Sequence, residues 1–126
     1  MKRKILQACL DIAMRRLANH PENYCHFTFI VQDNRIVAFG TNRCGHPLTF
    51  LGYESHTKMH SEVDAYFKAK GIMKKEPFEA VNIRLTKTGA IRNSRPCKCC
   101  FAFLSGSRCK RVWFTTNIEN FASMEI

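Results

Sequence analysis

The two stretches that decide the fold are His60-Ser61-Glu62 and Pro96-Cys97-Lys98-Cys99-Cys100. They form an H-x-E motif followed, 37 positions after its His, by a P-C-x-x-C motif. One His and two Cys can bind zinc tetrahedrally and leave the fourth position open, which is the catalytic arrangement. Two Cys at this spacing can direct both sulfurs at one ion if they begin a helix, where the helix dipole also favours the thiolate. The Glu of the first motif would lie near the ion without having to bind it, and could therefore move protons.

Hydrophobic periodicity places both motifs at the start of predicted helices. The spacing of apolar residues predicts helices over 4–18, His60–Lys70 and Lys98–Leu104, and strands over Cys25–Val31, Arg35–Gly40, Val81–Leu85, Arg111–Thr115 and Phe121–Ile126. Asp33-Asn34 predicts a turn that joins the first two strands into a hairpin, and residues 42–57 predict a long functional loop. This order predicts an α/β protein with one domain over residues 1–126. The expected architecture is a three-layer α/β/α sandwich around a mixed sheet of about five strands.

Composition limits the function classes that remain. With 45% apolar residues in 126, the chain can bury a core, and no apolar run approaches the roughly 20 residues of a membrane-spanning helix. The basic start is broken by Asp11 and Arg15-Arg16, which indicates a helix rather than a signal peptide. We therefore expect a cytoplasmic protein without a membrane partner. The net charge of +10 favours a polyanionic partner such as nucleic acid, or a phosphorylated substrate.

The two motifs together resemble the signature of the zinc-dependent cytidine deaminase superfamily. The predicted order of elements is also that of these deaminases, so the resemblance covers nearly the whole chain. It implies a cytidine deaminase-like fold, Zn²⁺ as cofactor, His60, Cys97 and Cys100 as its ligands, and Glu62 as the catalytic proton shuttle. The implied reaction is hydrolytic: water replaces the amino group of a cytosine base, and ammonia leaves.

Other interpretations of the cysteines and histidines remain open. A C-x-x-C pair alone is also typical of structural zinc sites and redox pairs. A structural zinc site would need a fourth protein ligand, which Cys99, Cys44, Cys109 or His56 would have to supply. We predict that Cys99 points away from the other two cysteines and that His56 belongs to the loop. Two further residues, Cys9 and Cys25, occupy apolar positions and are predicted to be core residues.

Candidate substrate-binding residues surround the motifs. Asn42 follows the second strand, where many deaminases carry an Asn that binds the sugar or base, although it could simply end the strand. The resemblance also implies backbone contacts to the base at Ser61 and Cys97. Arg95 lies beside the zinc cysteines and could contact phosphate, as could Arg92 and Lys98; the alternative is a solvated basic rim. For Trp113-Phe114 we favour burial in a strand over a base-stacking loop.

The sequence indicates the reaction more clearly than it indicates the class of substrate. Nucleic-acid-editing deaminases carry Ser-Trp-Ser where Asn93-Ser94-Arg95 stands, and the short segment 116–126 favours an antiparallel last strand, as in free cytidine deaminases. Those enzymes, however, usually have Cys where His60 stands. The sequence predicts conversion of cytosine to uracil, with single-stranded nucleic acid favoured by the charge. The alternatives are free cytidine, deoxycytidine or their monophosphates, and a non-catalytic structural or nucleic-acid-binding protein on the same scaffold. A homo-oligomer is also compatible with the sequence.

Overall fold

The computed structural model describes residues 1–20, 24–44, 58–117 and 121–126. The helices are α1 (Arg3–Arg16), α2 (Ser61–Ala69) and α3 (Lys98–Ser105), and a short 3-10 helix, Leu17–Asn19, follows α1. The strands are β1 (Tyr24–Gln32), β2 (Arg35–Thr41), β3 (Arg43–Cys44), β4 (Lys58–Met59), β5 (Phe78–Thr86), β6 (Ile91–Arg92), β7 (Cys109–Thr115) and β8 (Phe121–Glu125). None of the described helices is long and apolar enough to cross a lipid bilayer.

The main sheet is mixed and is centred on β5. Its strand order is β2-β1-β5-β7-β8, and the short strand β6 also pairs with β5. Strand β5 is antiparallel to β1 and parallel to β7, and the crossover between the two parallel strands contains α3. The last strand, β8, is antiparallel to β7, as the short C-terminal segment predicts. The predicted mixed sheet is confirmed.

The two faces of the sheet are covered by different helices. Every second residue of β1, including Phe27 and Phe29, packs with α1 in one core, where Cys9 and Cys25 are fully buried as predicted. Residues of the other face, among them Ile30, pack with α2 and α3 in a second core. The side chains alternate because successive residues of a strand point to opposite faces. The predicted three-layer α/β/α sandwich is confirmed.

Three local features refine the sequence prediction. The β1–β2 hairpin turns at Asp33 and Asn34, whose φ angles of 53° and 60° are those of a tight hairpin turn. The predicted loop over 42–57 is wrong at its start, because Arg43–Cys44 pairs with Lys58–Met59; residues 45–57 lie outside the described part. The segment after β5 turns back as β6, which apolar spacing could not predict in two residues.

Candidate metal centre and active-site cavity

Two helix N-termini bring three potential metal ligands together. His60 is the N-cap of α2, Cys97 is the N-cap of α3, and Cys100 lies in the first turn of α3. The Nδ1 atom of His60 lies 3.7 Å from the Sγ of Cys97 and 3.3 Å from the Sγ of Cys100. One ligand atom from each residue falls within 4.8 Å of the other two. The sequence-predicted ligand group is therefore assembled in space.

The geometry of this group fits a zinc ion. Zinc–sulfur and zinc–nitrogen bonds of normal length, at a tetrahedral angle, separate the nitrogen from each sulfur by about 3.6 Å. The two nitrogen–sulfur distances in the structure lie on either side of that value. One imidazole and two thiols are also a donor set that zinc prefers. With three protein ligands, a bound ion would keep one position for a small molecule.

The structural-zinc alternative finds no fourth ligand among the described side chains. Cys99 is exposed and lies outside the group, as predicted. Cys109 is buried in β7, where its thiol donates to the carbonyl of Arg111. His56 and the side chain of Cys44 lie outside the description. Where the structure can be assessed, the group has the composition of an open site.

The local electrostatics favour a thiolate at Cys97. Hydrogen bonds from Cys100 and His60 lower the pKa of the Cys97 thiol to about 3. The hydrogen bond to Cys97 in turn raises the pKa of His60. A thiolate is the form of cysteine that binds metal, whereas histidine must release its second proton to do so.

A short extension of the sheet fixes the position of the P-C-x-x-C motif. The Ser94 hydroxyl donates to the carbonyl of Asn82 at 2.7 Å, and the Ser94 amide donates to the carbonyl of Thr115 at 2.9 Å. The amide of Thr115 donates back to the Ser94 hydroxyl at 2.7 Å. Ser94 thus attaches the segment before Pro96 to both central parallel strands, which places Cys97 at the start of α3.

Glu62 is buried beside the candidate metal ligands in a closed ring of hydrogen bonds. Its carboxyl group accepts from the Asn82 side-chain amide at 3.0 Å and lies 3.3 Å from the Ser61 hydroxyl. Thr28 closes the ring, 2.7 Å from the Asn82 amide oxygen and 2.8 Å from the Ser61 hydroxyl. Burial raises the pKa of Glu62. The ring holds the buried carboxyl in one orientation.

The number of hydrogens available in the ring determines which protonation state of Glu62 it can accommodate. The hydroxyls of Thr28 and Ser61 supply two hydrogens, but three contacts need one each: Thr28 to Asn82, Thr28 to Ser61, and Ser61 to Glu62. An ionised Glu62 leaves one contact without a hydrogen. A protonated Glu62 supplies the third at Oε1, while Asn82 still donates to Oε2. The ring therefore accommodates a proton on Glu62, as a proton-transferring carboxyl requires.

A cavity of about 360 Å³ opens onto two of the candidate metal ligands, His60 and Cys97, and onto Glu62. Its wall follows the sheet face that carries the ring, because residues two apart on a strand share a face. On β1, Thr28 lies in the ring, while His26 and then Tyr24 line the cavity further out; on β5, Asn82 and then Arg84 occupy the matching positions. From the protein core outward, the wall therefore carries first apolar side chains, then buried hydroxyl and amide groups, and finally basic and aromatic side chains at the mouth.

The mouth of the cavity is positively charged. Burial, together with the positive charge of the neighbouring Arg84, lowers the pKa of His26 to about 4. Arg84 stacks on the Tyr24 ring, with its guanidinium carbon 5.1 Å from the ring centroid. Arg95 also lines the cavity and is exposed. A neutral His26 can accept a hydrogen bond from a ligand, and Arg84 and Arg95 can bind negatively charged groups.

The three sequence-predicted substrate residues all line this cavity. The Asn42 side chain accepts from the amide of His26 at 2.8 Å and donates to the carbonyl of Tyr24 at 2.9 Å, so it fixes the end of β1. Ser61 contributes its hydroxyl to the buried ring, and Arg95 faces the open side. Asn42 thus combines the two roles that the sequence left open, a strand-ending contact and a place at the cavity.

Trp113 and Phe114 lie in β7, as the strand interpretation predicts. The Trp113 indole packs against the α1-side core and donates to the Glu79 carboxylate at 3.2 Å, and Phe114 is buried. Neither residue belongs to the loop that a base-stacking role would require. Arg92 and Lys98 are exposed and do not line the cavity.

Sequence reasoning missed the residues that β1 and β5 contribute to the site. His26, Thr28, Asn82 and Arg84 stand at the polar positions of alternating strands, where they look like solvent-facing residues. The register that pairs His26 with Arg84 and Thr28 with Asn82 brings them together. The sequence did offer one signal for these residues: polar side chains stand at every second position in each of the two strands.

The fold of the chain is that of cytidine deaminases. No protein-family model and no curated protein sequence matches the chain. Among solved structures, a cytidine deaminase from Burkholderia pseudomallei is similar with a TM-score of 0.67 and 16% identity, covering 99% of this chain and 93% of that one. A dCMP deaminase from the cyanophage S-TIM5, in complex with dCMP and dUMP, is similar with a TM-score of 0.59 and 21% identity, covering 89% and 81%. Its apo form gives a TM-score of 0.58.

Proposed function

We propose that this protein is a zinc-dependent hydrolytic deaminase that converts cytosine to uracil. The observation that carries the proposal is the buried carboxyl of Glu62, fixed beside His60, Cys97 and Cys100 at the inner end of a cavity. Burying a carboxyl costs stability, and the three candidate metal ligands alone do not require one at this position. The cytidine deaminase fold supports the same conclusion.

The chain's own groups provide the proton transfers that the reaction needs. His60, Cys97 and Cys100 would hold the zinc ion, which would supply the Lewis acidity that makes water a nucleophile at neutral pH. Glu62 takes a proton from the attacking water and delivers it to the ring nitrogen next to the amino-bearing carbon. The resulting hydroxide adds to that carbon. Glu62 then moves the proton of the new hydroxyl group to the amino group, so the carbon–nitrogen bond breaks, ammonia leaves and the carbonyl of uracil remains. Asn82 donates to Oε2 and keeps the carboxyl group oriented.

For the substrate we propose a cytosine in single-stranded nucleic acid, because the net charge of +10 and the two arginines at the cavity suit phosphate. The base must be unpaired to enter the cavity. The second candidate is free deoxycytidine monophosphate or cytidine, favoured by the antiparallel β8 and by the ligands of the phage structure. Asn42, Ser61 and Arg95 would contact the substrate in either case.

The proposal is tested by ammonia release and mass detection of uracil with zinc-loaded protein. The panel holds cytidine, deoxycytidine, their monophosphates and single-stranded DNA and RNA oligonucleotides, with the matching adenine compounds as a second set. Turnover of a cytosine compound supports the reaction and identifies the substrate class. Turnover of adenine alone, or of nothing by folded zinc-loaded protein, would contradict it, and the latter would favour the non-catalytic alternative.

A salt titration separates the two substrate candidates. A protein that binds a nucleic-acid strand releases counterions, so its affinity falls linearly with salt on logarithmic axes, with a slope near 0.7 per phosphate contacted on a single strand. We expect a fall of at least about tenfold between 50 and 200 mM salt for an oligonucleotide that contacts several phosphates. A flat titration would favour the free nucleotide.

Neighbouring cysteines allow a matched test of the metal site. Cys100→Ser should reduce bound zinc from about one per chain to well below one, because the weaker hydroxyl replaces a thiolate ligand. Cys99→Ser, one residue away and exposed, should keep the full zinc content. The measurement is zinc per chain by mass spectrometry after dialysis. Equal zinc loss in both variants would contradict the assigned ligand set.

Thr28 offers a test of the ring around Glu62. Thr28→Val keeps the shape but removes the hydroxyl that contacts Asn82 and Ser61, so we expect the free energy of unfolding to fall by about 1–3 kcal/mol. Because Thr28 is fully buried and does not line the cavity, kcat should fall about tenfold with little change in KM. Thr28→Ser, which keeps the hydroxyl, should restore most of kcat. A Val variant with lowered stability and unchanged kcat would show that the ring is only structural.

A further inference from the structure

Arg84 occupies a distinctive position on the cavity wall. It lies on β5 two residues outward from Asn82, which donates to Glu62, so its Cα is about 7 Å further toward the mouth at normal strand rise. It pairs with His26 across the β1–β5 ladder, and both residues line the cavity. The side chain therefore stands beside the path that a substrate takes outward from the proton-transferring carboxyl.

The charge of Arg84 is not neutralised by an acidic neighbour in the described part of the chain. The ion pairs found there join Lys68 to Asp64, Lys74 to Asp33 and Arg111 to Glu125. Glu62 is the single carboxylate among the described residues that line the cavity, and Asn82 is its partner. Arg84 instead stacks on the ring of Tyr24, which is 64% exposed. This contact orients the guanidinium without using its hydrogen-bond donors.

We infer that Arg84, positioned by Tyr24, binds a phosphate group on the sugar of the target cytosine. This inference rests on the proposed function. With the base held at Glu62, the sugar and phosphate must extend outward along the cavity, where the guanidinium stands. A planar guanidinium matches two phosphate oxygens and stays charged at all relevant pH values. The site therefore selects phosphorylated cytosine compounds over the free nucleoside.

The test compares Arg84→Gln with Arg92→Gln in zinc-loaded protein. Arg92 faces Arg84 across the β5–β6 ladder, but it is exposed, does not line the cavity and donates to the carbonyl of Ile91. Both variants remove one positive charge from the same ladder. The substrates are deoxycytidine, its 5′- and 3′-monophosphates, and a short single-stranded DNA with one cytosine.

We expect Arg84→Gln to lower kcat/KM at least about tenfold for a phosphorylated substrate and less than twofold for deoxycytidine, because a charge-assisted hydrogen bond is lost only with phosphate. Arg92→Gln should leave kcat/KM unchanged for both the phosphorylated substrates and deoxycytidine. A lower kcat/KM with a monophosphate identifies a terminal phosphate as the ligand of Arg84. A lower kcat/KM with the oligonucleotide alone identifies a phosphate of the strand. Equal losses on deoxycytidine and the phosphorylated compounds, or no loss with any, would overturn the inference.

A binding measurement keeps this test separate from the proposed reaction. Thermal unfolding is followed with deoxyuridine or with its 5′- or 3′-monophosphate, which are product-like compounds and need no turnover. If the wild-type protein gains stability from a monophosphate and Arg84→Gln does not, the phosphate site stands even if no deamination is detected. If no cytosine compound is turned over and both proteins respond to the monophosphates identically, the inference and the proposed function both fail.

Discussion

Replacing Glu62 by Gln should reduce turnover by at least about 10³-fold while zinc stays bound. Gln has nearly the shape of Glu but cannot accept and release the proton, and general acid–base catalysis contributes roughly 10²–10⁴-fold in each step it serves. Its amide can also satisfy the ring, since the oxygen accepts from Asn82 and the nitrogen supplies the hydrogen that the Ser61 contact lacks. The free energy of unfolding should therefore stay equal or rise. The measurements are kcat on the best substrate, zinc per chain and thermal unfolding.

Glu79→Gln is the matched control for this variant. Glu79 lies on β5, as Asn82 does, and its carboxylate accepts from the Trp113 indole at 3.2 Å, a contact that a Gln oxygen can keep. It does not line the cavity, so its turnover should equal that of the wild type. A Glu62→Gln variant that retains a tenth of wild-type kcat would contradict the proton-transfer role. Loss of zinc in this variant would instead make Glu62 part of the metal site.

The inner part of the site could be predicted from the sequence because its two motifs together resemble the deaminase signature and each begins a helix that the local pattern predicts. His60, Cys97 and Cys100 sit at or near helix caps, and a cap position follows from a few neighbouring residues. The alternation of Phe27 and Phe29 likewise fixes a strand and its buried face without knowledge of its partners. The helix starts and the buried strand face required no register between strands, whereas the meeting of His60 with Cys97, 37 positions away, is a tertiary contact.

The outer part of the site depends on strand register, which the sequence does not state. Thr28 and Asn82 are 54 positions apart and meet only because β1 and β5 pair antiparallel in one specific register. A slip of one residue in either strand would turn that strand's side chain to the opposite face and separate the pair. The same register brings His26 and Arg84 to the cavity, so the substrate-facing wall could be recognised only in the folded chain.

We expect the largest effect on stability from a substitution at Gly40 of β2, where α2 lies very close to the sheet. A Cβ built on Gly40 of β2 would overlap the backbone nitrogen of Ala65 and lie 2.7 Å from the Ala65 Cα and from the Asp64 carbonyl carbon. These are backbone atoms of α2, so no side chain can rotate away. The adjacent amide of Thr41 donates to the Asp64 carboxylate at 2.9 Å, which holds the helix at this distance. Any side chain at position 40 must therefore push α2 outward.

Gly40→Ala should lower the free energy of unfolding by about 3 kcal/mol or more, because overpacking against backbone exceeds the usual cost of an added methyl group. For a domain of this size the midpoint of thermal unfolding should fall by roughly 10 °C. Because His60 is the N-cap of α2 and the helix carries Glu62, zinc affinity should fall with stability, which a competing chelator measures in any folded fraction. Gly71→Ala is the control, since its Cβ would meet nothing within 4 Å and should leave the midpoint nearly unchanged. If the two variants unfold at the same temperature, α2 can move away from β2 at little cost. The positions of His60 and Glu62 would then have to be set by the buried ring and the metal ligands rather than by helix–sheet packing.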